Sequence, residues 1–447
     1  MANARADGAS KVRGKTALAV GIGNFMEWFD FAVYGFFATT IGDLFFPNSD
    51  PAVSLLSSLA VFGVAFFMRP IGGFVLGSLA DRKGRRWTLA VTVTIMGTAT
   101  TLLGLLPTYA QVGILAPILL VLMRCLQGFS AGGEWTGSSA FLLEHVPSNR
   151  RGLFGSIISA TAALAVIVGS LAALLLNSLL SDAALNSWGW RLPFIAAAPL
   201  GLIGLYIRLK IAETPVFNEL KARDAVVDKP LRTGGRDNVQ AITLTFFFAS
   251  VQGLGFYYLA TYVVNHLSET VGLERTTALR LSAIGLILYA LLCPISGRMS
   301  DRFGRRPLNI IGSAGLAVVA YPAFVLMGGG GSGAVVLGIF VFAVFQSMVS
   351  VTTVVMLTEM FPAQTRGSGS AIGFNLALAL IGGPGPFIAT AIAGASSNLA
   401  MPAVYMVGVA AIGFLVVLLR LPETRGRDLA AADAPEVMRV RASEAHI

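Results

Sequence analysis

The chain has 447 residues, of which 55% are hydrophobic and only 12% charged, with a mean hydropathy of +0.75. A soluble globular domain carries roughly 25% charged residues, so this chain has too few to cover a water-facing surface. Its formal charge of +9 sits in short Lys/Arg runs between apolar blocks, a topogenic placement that argues against a nucleic-acid-binding face.

The apolar blocks are long, as in Val53–Leu79 and Val112–Leu143. About 20 apolar residues at 1.5 Å each match the ~30 Å hydrocarbon core, and helices satisfy their own backbone groups there. The period-two alternation of a membrane barrel is absent. Met1–Lys15 is polar and lacks the features of a removable signal, so the first membrane helix is expected to act as an uncleaved insertion signal. Twelve helices are predicted over residues 16–41, 53–80, 87–107, 112–144, 153–180, 189–211, 240–267, 276–299, 307–329, 333–360, 368–395 and 399–421. Cys125 and Cys293 lie inside apolar blocks and read as packing residues, neither a disulfide nor a metal pair.

The loops fix an orientation. One set carries Lys11, Arg13 and Lys15, then Arg82 to Arg86, Arg150 and Arg151, Lys221 to Arg236, Arg302 to Arg306, Arg366, and Arg425 with Arg427. The opposite set is free of basic residues except near Glu269–Arg280. The basic set is expected to be cytoplasmic, with both termini inside. The polar stretch Glu213–Asn238 reads as a linker. The predicted organisation is residues 1–212 as an N-terminal six-helix bundle, 213–239 as a cytoplasmic linker, 240–421 as a C-terminal bundle, and 422–447 as a short tail.

Three elements recur in order. Gly77-Ser-Leu-Ala-Asp81-Arg82-Lys83-Gly84-Arg85-Arg86 returns as Gly297-Arg-Met-Ser-Asp301-Arg302-Phe303-Gly304-Arg305-Arg306. Glu144-His-Val-Pro147 with Arg151-Gly152 returns as Glu359-Met-Phe-Pro362 with Arg366-Gly367, and Glu213-Thr214 returns as Glu423-Thr424. Duplicated halves of this kind suit alternating access about a central site. Gly77 and Gly297 allow close helix approach, and Gly84 and Gly304 suit tight turns. Asp81 and Asp301 can pair with arginines and with a neighbouring helix end, forming a latch made in one state and broken in another. The plainer reading makes these arginines topogenic only, but a bare basic loop does not need Asp and Gly-Arg-Arg at fixed offsets twice. Glu144 with Arg150 or Arg151, and Glu359 with Arg366, are expected to extend the network.

The chain therefore resembles the major facilitator superfamily, whose signature lies between helices 2 and 3 and again between 8 and 9. Gly23-Asn-Phe-Met-Glu27-Trp-Phe-Asp30, Arg69-Pro-Ile-Gly-Gly73, Gln127-Gly-Phe-Ser-Ala-Gly-Gly-Glu134 and Trp188-Gly-Trp-Arg191 are similar to its metabolite:proton symporter family, and within it to the transporters of proline and betaine. The resemblance implies an all-α, 12-helix membrane fold of two pseudo-symmetric bundles. It departs at the end: Pro422–Ile447 is Ala-rich and lacks the heptads of a coiled coil, which argues against osmotic activation through such a tail.

Ionisable residues at mid-membrane are costly and mark function. Glu27 and Asp30 share a face of helix 1. Counted from the outer ends, Asp30 and Arg124 both lie ~17 Å deep, so a pair is predicted whose separation, as the bundles rock, would let a proton bind. Proton-coupled sugar porters, which this segment resembles, carry the same arrangement. The competing reading is a static ion pair. Glu134, ~15 Å nearer the cytoplasm, is read as a second proton stop or a gate partner. Arg69 is suited to a substrate carboxylate or to bridging Asp30 or Glu27. Trp28, Phe31, Tyr34, Trp135, Phe256, Tyr257, Tyr258 and Tyr262 are candidates for a box around a substrate cation, although aromatics commonly just pack helices. Gln252, Gln346 and Asn375 reach either substrate or a neighbouring helix, and Gly382-Gly-Pro384-Gly-Pro386 permits bending.

No catalytic constellation, cofactor fingerprint or metal cluster is present: His145, His266 and His446 are isolated, and no phosphate-binding loop appears. The expectation is not an enzyme but a proton-coupled symporter of the inner (plasma) membrane, without cofactor, working as a monomer. Its substrate is expected to be a small carboxylate-bearing solute, with proline or glycine betaine implied by the resemblance. Uptake of di- or tricarboxylates or shikimate is the alternative, and drug efflux by antiport a third.

Overall fold

The computed structural model describes residues 2–329 and 331–430; the end of the expected tail, with His446, lies outside the described residues, as do the side chains of Lys11, Arg13 and Arg236. Among the described residues every regular element is helical. Eleven helices are long and apolar enough to cross a membrane. They are α2 (Pro51–Lys83), α3 (Arg85–Leu105), α4 (Leu115–Leu143), α5 (Arg151–Leu179), α6 (Gly189–Lys210), α7 (Val239–Thr270), α8 (Arg275–Phe303), α9 (Arg305–Gly329), α10 (Ser332–Glu359), α11 (Arg366–Gly394) and α12 (Ala403–Arg420). The twelfth, α1 (Ala2–Phe36), carries buried Asn24, Glu27 and Asp30 and packs along α5.

Helices α1–α6 form one bundle and α7–α12 the other, meeting chiefly along α2–α11 and α5–α8. Four glycines set that meeting. A Cβ on Gly77 would stand 2.6 Å from the Gly367 carbonyl, and one on Gly297 would stand 2.6 Å from that of Gly152. The same small-residue contact is thus used twice, in the two halves of the repeat.

Several helices differ in detail from the sequence reading. Helix α1 stops at Phe36, and a separate short helix, Ala38–Phe45, follows after Phe37. Helix α4 starts at Leu115, just beyond Gly113 at φ +61°. Helices α7 and α11 are interrupted by π-helical turns at Tyr258–Tyr262, His266–Thr270 and Leu378–Gly382, the last leading into Gly383-Pro384. Nor is the polar stretch after α6 featureless. It holds two short helices, Pro215–Ala222 and Pro230–Asp237, the first capped by the Thr214 hydroxyl, which accepts from the Phe217 N–H at 3.2 Å. Val216 and Leu220 of the first pack on Ala363 and Leu429, so the segment lies against the second bundle.

Candidate functional site

The two motif-bearing helices α2 and α4 approach backbone to backbone. A Cβ on Gly128 would collide with the Ala65 carbonyl, one on Gly132 with that of Arg69, and one on Gly72 with that of Phe129. This contact brings Arg69 and Arg124 into one bundle interior with α1, where Glu27, Asp30, Arg69 and Arg124 are all 0% exposed. Arg124 Nη1 donates to Asp30 at 3.0 Å and to Gln127 at 2.9 Å; Gln127 donates to Asp30 at 2.7 Å and to Thr100 at 2.9 Å. Arg69 Nη2 donates to Glu27 Oε1 at 2.5 Å. The bridge from Arg69 therefore goes to Glu27 and not to Asp30. Both ion pairs lie within the first bundle, so rigid rocking of one bundle against the other does not by itself part Asp30 from Arg124, contrary to the sequence expectation.

The aromatic residues divide into three groups. Arg124 lies 3.5 Å over the Tyr34 ring, and Arg69 lies 5.0 Å from Phe31 and 5.7 Å from Phe66. Tyr34 is thus a platform for a protein cation. A second group closes the space beside Arg69 and joins the bundles: Trp28 meets Phe256 at 4.6 Å, Tyr257 at 5.5 Å and Trp135 at 6.0 Å. Trp28 Nε1, Trp135 Nε1, the Tyr257 hydroxyl, Arg69 Nε and Nη1, and Arg124 Nε and Nη2 are buried without a protein partner. Tyr258 and Tyr262 form the third group and face away. Their rings pack on Phe324, and their hydroxyls donate to the Pro402 and Ala389 carbonyls. The i+1 step from Tyr257 to Tyr258 turns the side chain by about 100° around the helix, which takes Tyr258 out of the site. Gln346 donates to the Gln252 carbonyl at 2.8 Å, tying α10 to α7. Asn375 of α11 donates to the Gly132 carbonyl at 2.8 Å and ties the bundles together beside Arg69.

Glu134 is claimed by a residue that sequence reasoning passed over. Arg208 of α6 forms an ion pair with it, Thr92 donates to it at 2.5 Å and Ser138 at 3.0 Å. Arg208 ends an apolar helix and looks topogenic in sequence; only the fold turns it inward.

On the side bearing the basic loops the repeat is built out twice. Asp81 accepts from the Gly367 and Ser368 N–H groups, each at 2.8 Å, at the start of α11; Asp301 accepts from those of Gly152 and Leu153, at 2.8 and 2.9 Å, at the start of α5. Each aspartate thus sits on a helix N-terminus of the opposite bundle. Arg85 and Arg305 bond their own aspartates at 2.9 and 3.0 Å. Glutamate pairing differs from the sequence expectation. Glu144 bonds Arg366 at 2.6 Å and neighbours Arg85 at 3.7 Å, while Glu359 bonds Arg151 at 3.2 Å and Arg305 at 3.1 Å. Glu144–Arg366 and Glu359–Arg151 cross between the bundles, while Arg85 and Arg305 approach the same glutamates from within each bundle. Burial pushes the Glu144 carboxyl up, but Arg85 and Arg366 outweigh it and hold it below the usual carboxylate range.

Arg82 and Arg302 are exposed and outside this network. Arg86 and Arg306 instead donate to the Leu209 and Leu418 carbonyls, at 2.6 and 3.1 Å. The third repeated element also finds its role: Glu213 and Glu423 accept from the N–H groups of Arg85 and Arg86, and of Arg305 and Arg306. They cap α3 and α9 beneath Gly84 and Gly304, at φ +104° and +107°.

Two segments, residues 16–236 and 219–434, match the family described as "Sugar (and other) transporter". The chain belongs to this transporter family of the major facilitator superfamily. It is 37% identical to the glycine betaine/proline/ectoine/pipecolic acid transporter OusA of Dickeya dadantii and 36% identical to the proline/betaine transporter of Escherichia coli. Each match covers 94% of this chain and 85% of the relative. Among solved structures it is similar to the proton:xylose symporter XylE bound to 6-bromo-6-deoxy-D-glucose, with a TM-score of 0.80 at 19% identity, covering 96% of this chain and 99% of that one. The protein is a multi-pass membrane transporter of small molecules with the 12-helix facilitator fold.

Proposed function

We propose that this transporter is a proton-coupled symporter of the inner membrane that imports a small carboxylate-bearing zwitterion of the proline or glycine betaine type, working as a monomer with both termini in the cytoplasm. The observation that carries this reading is the pair of buried arginines, Arg69 and Arg124, each retaining unpartnered donors. Beside Arg69 stands an aromatic wall drawn from both bundles. A carboxylate fits a guanidinium fork, and a quaternary or secondary ammonium fits the faces of Trp28, Trp135, Phe256 and Tyr257. The names of the relatives agree with that chemistry.

In this reading residues 1–212 and 240–421 rock about the 213–239 linker, and the doubled aspartate latch closes the cytoplasmic side. The buried acids of α1 carry the protons. Arg124, held by Asp30 and Gln127, gives the site a fixed positive wall. Glu134 with Arg208 holds α3, α4 and α6 together.

Purified protein in proteoliposomes, given an acid-outside gradient and radiolabelled solutes, tests the proposal. Accumulation of glycine betaine competed by proline supports it. Accumulation of oxoglutarate or citrate alone replaces it with the carboxylate reading, and proton movement opposite to the solute replaces it with antiport.

A further inference from the structure

We infer that the solute carboxylate and the Glu27 carboxylate share one guanidinium, Arg69, and that Glu27 takes up a proton at Oε2 when the solute binds. This rests on the solute reading above. Of the three acids buried around α1 and α4, Asp30 has both oxygens bonded, by Gln127 and Arg124, and Glu134 has both bonded, by Ser138, Thr92 and Arg208. Glu27 has one bond, from Arg69 to Oε1, and its Oε2 is buried without a partner.

Arg69 is equally incomplete. Its Nε and Nη1 are buried and unpartnered while Nη2 is held by Glu27. A guanidinium offers a carboxylate two flat two-donor edges, and both include Nη2. A solute carboxylate that takes two bonds therefore meets Glu27 at that nitrogen.

Charge then decides the outcome. Arg69 and Glu27 are neutral as a pair. The solute is a zwitterion and adds no net charge, but its cation stands on the aromatic wall and not between the two carboxylates. Both carboxylates therefore crowd one guanidinium, and one proton on Oε2 removes their repulsion. The groups acting on Glu27 from other helices are Arg69 of α2, Glu134 of α4 and Tyr257 of α7, with Asp30 on α1 itself. The only cation among them is Arg69, so none of the others relieves the repulsion between the two carboxylates. Since both ion pairs lie inside one bundle, the solute supplies the event that rocking does not.

The experiment measures binding of proline and glycine betaine to the purified full chain between pH 5 and 9, with a pH-indicator dye in weak buffer. One proton should be taken up per solute bound, and Kd should rise about tenfold per pH unit in the alkaline range. Glu27→Gln should bind with a Kd independent of pH and without proton uptake, and Glu27→Asp should restore both. If Glu27→Gln does not fold, infrared difference spectra of the unmodified protein serve: a protonated carboxyl band must appear on solute addition. Solute binding without proton uptake or that band overturns the inference alone. Absence of binding by either solute at every pH overturns the inference and the solute reading together.

Discussion

Removing the Asp81 side chain tests the latch most directly. Asp81 is 2% exposed and accepts three hydrogen bonds from the opposite bundle: the N–H groups of Gly367 and Ser368 at 2.8 Å and the Ser368 hydroxyl at 2.5 Å. It also holds Arg85, which reaches across to the Ala363 carbonyl at 2.9 Å. A hydrogen bond to a charged acceptor contributes about 1.5–3 kcal/mol. Taking the lower figure for the two backbone bonds alone, Asp81→Ala weakens the closed side by about 3 kcal/mol, which shifts the closed-to-open ratio about a hundredfold. Spin labels on exposed Asn149 and Arg302, in a background with Cys125 and Cys293 replaced, report the separation of the two bundles on this side. The longer-distance population should dominate in Asp81→Ala, whereas Arg82→Ala, at an exposed position outside the network, should leave the distribution as it was. An unchanged distribution in Asp81→Ala would refute the reasoning.

Other consequences follow from the same geometry. The Glu144 carboxyl is held low by Arg85 and Arg366, so its contribution is fully present above the ordinary carboxylate value and is lost only as pH falls through the lowered one. The share of closure owed to Glu144 should therefore be constant between about pH 8 and 5. Glu144→Gln should shift the distance distribution of the same label pair equally across that range, and a shift that disappears by about pH 5 would overturn the assignment. Gly84→Ala forces a side chain into φ +104° and onto the Glu213 carboxylate, and should cost about 1–3 kcal/mol in detergent unfolding; solute competition profiles should stay the same. Arg208→Ala leaves Glu134 buried and unpaired, at a cost of about 3–5 kcal/mol, and the double change with Glu134→Gln should recover most of the lost stability. Failure to recover it would show that Arg208 acts on something other than Glu134.

The relation between sequence and structure is clearest where the latch was concerned. Asp81, Asp301 and the glycines at 77 and 297 were legible because they recur at fixed spacing, and a repeat is a one-dimensional property. The level depth of Asp30 and Arg124 was legible for a similar reason, since the rise per residue converts position along a helix into depth in the bilayer. Rotation about the helix axis and the choice among neighbours were not. Tyr257 and Tyr258 are adjacent in sequence yet face different helices, and Arg208 closes an apolar run yet turns inward to Glu134.

The chain's composition, block lengths and repeats by themselves determined a twelve-helix membrane protein with two related halves and a charged middle, because hydrocarbon thickness and backbone hydrogen bonding leave few other solutions. Only the tertiary structure decided which carboxylate each guanidinium serves. Glu144 pairs across to Arg366, Glu359 to Arg151, and Arg69 to Glu27. Those partners are set by helix packing through glycine contacts such as Gly77–Gly367 and Gly132–Arg69, and ion pairing falls off over a few ångströms that no sequence spacing encodes.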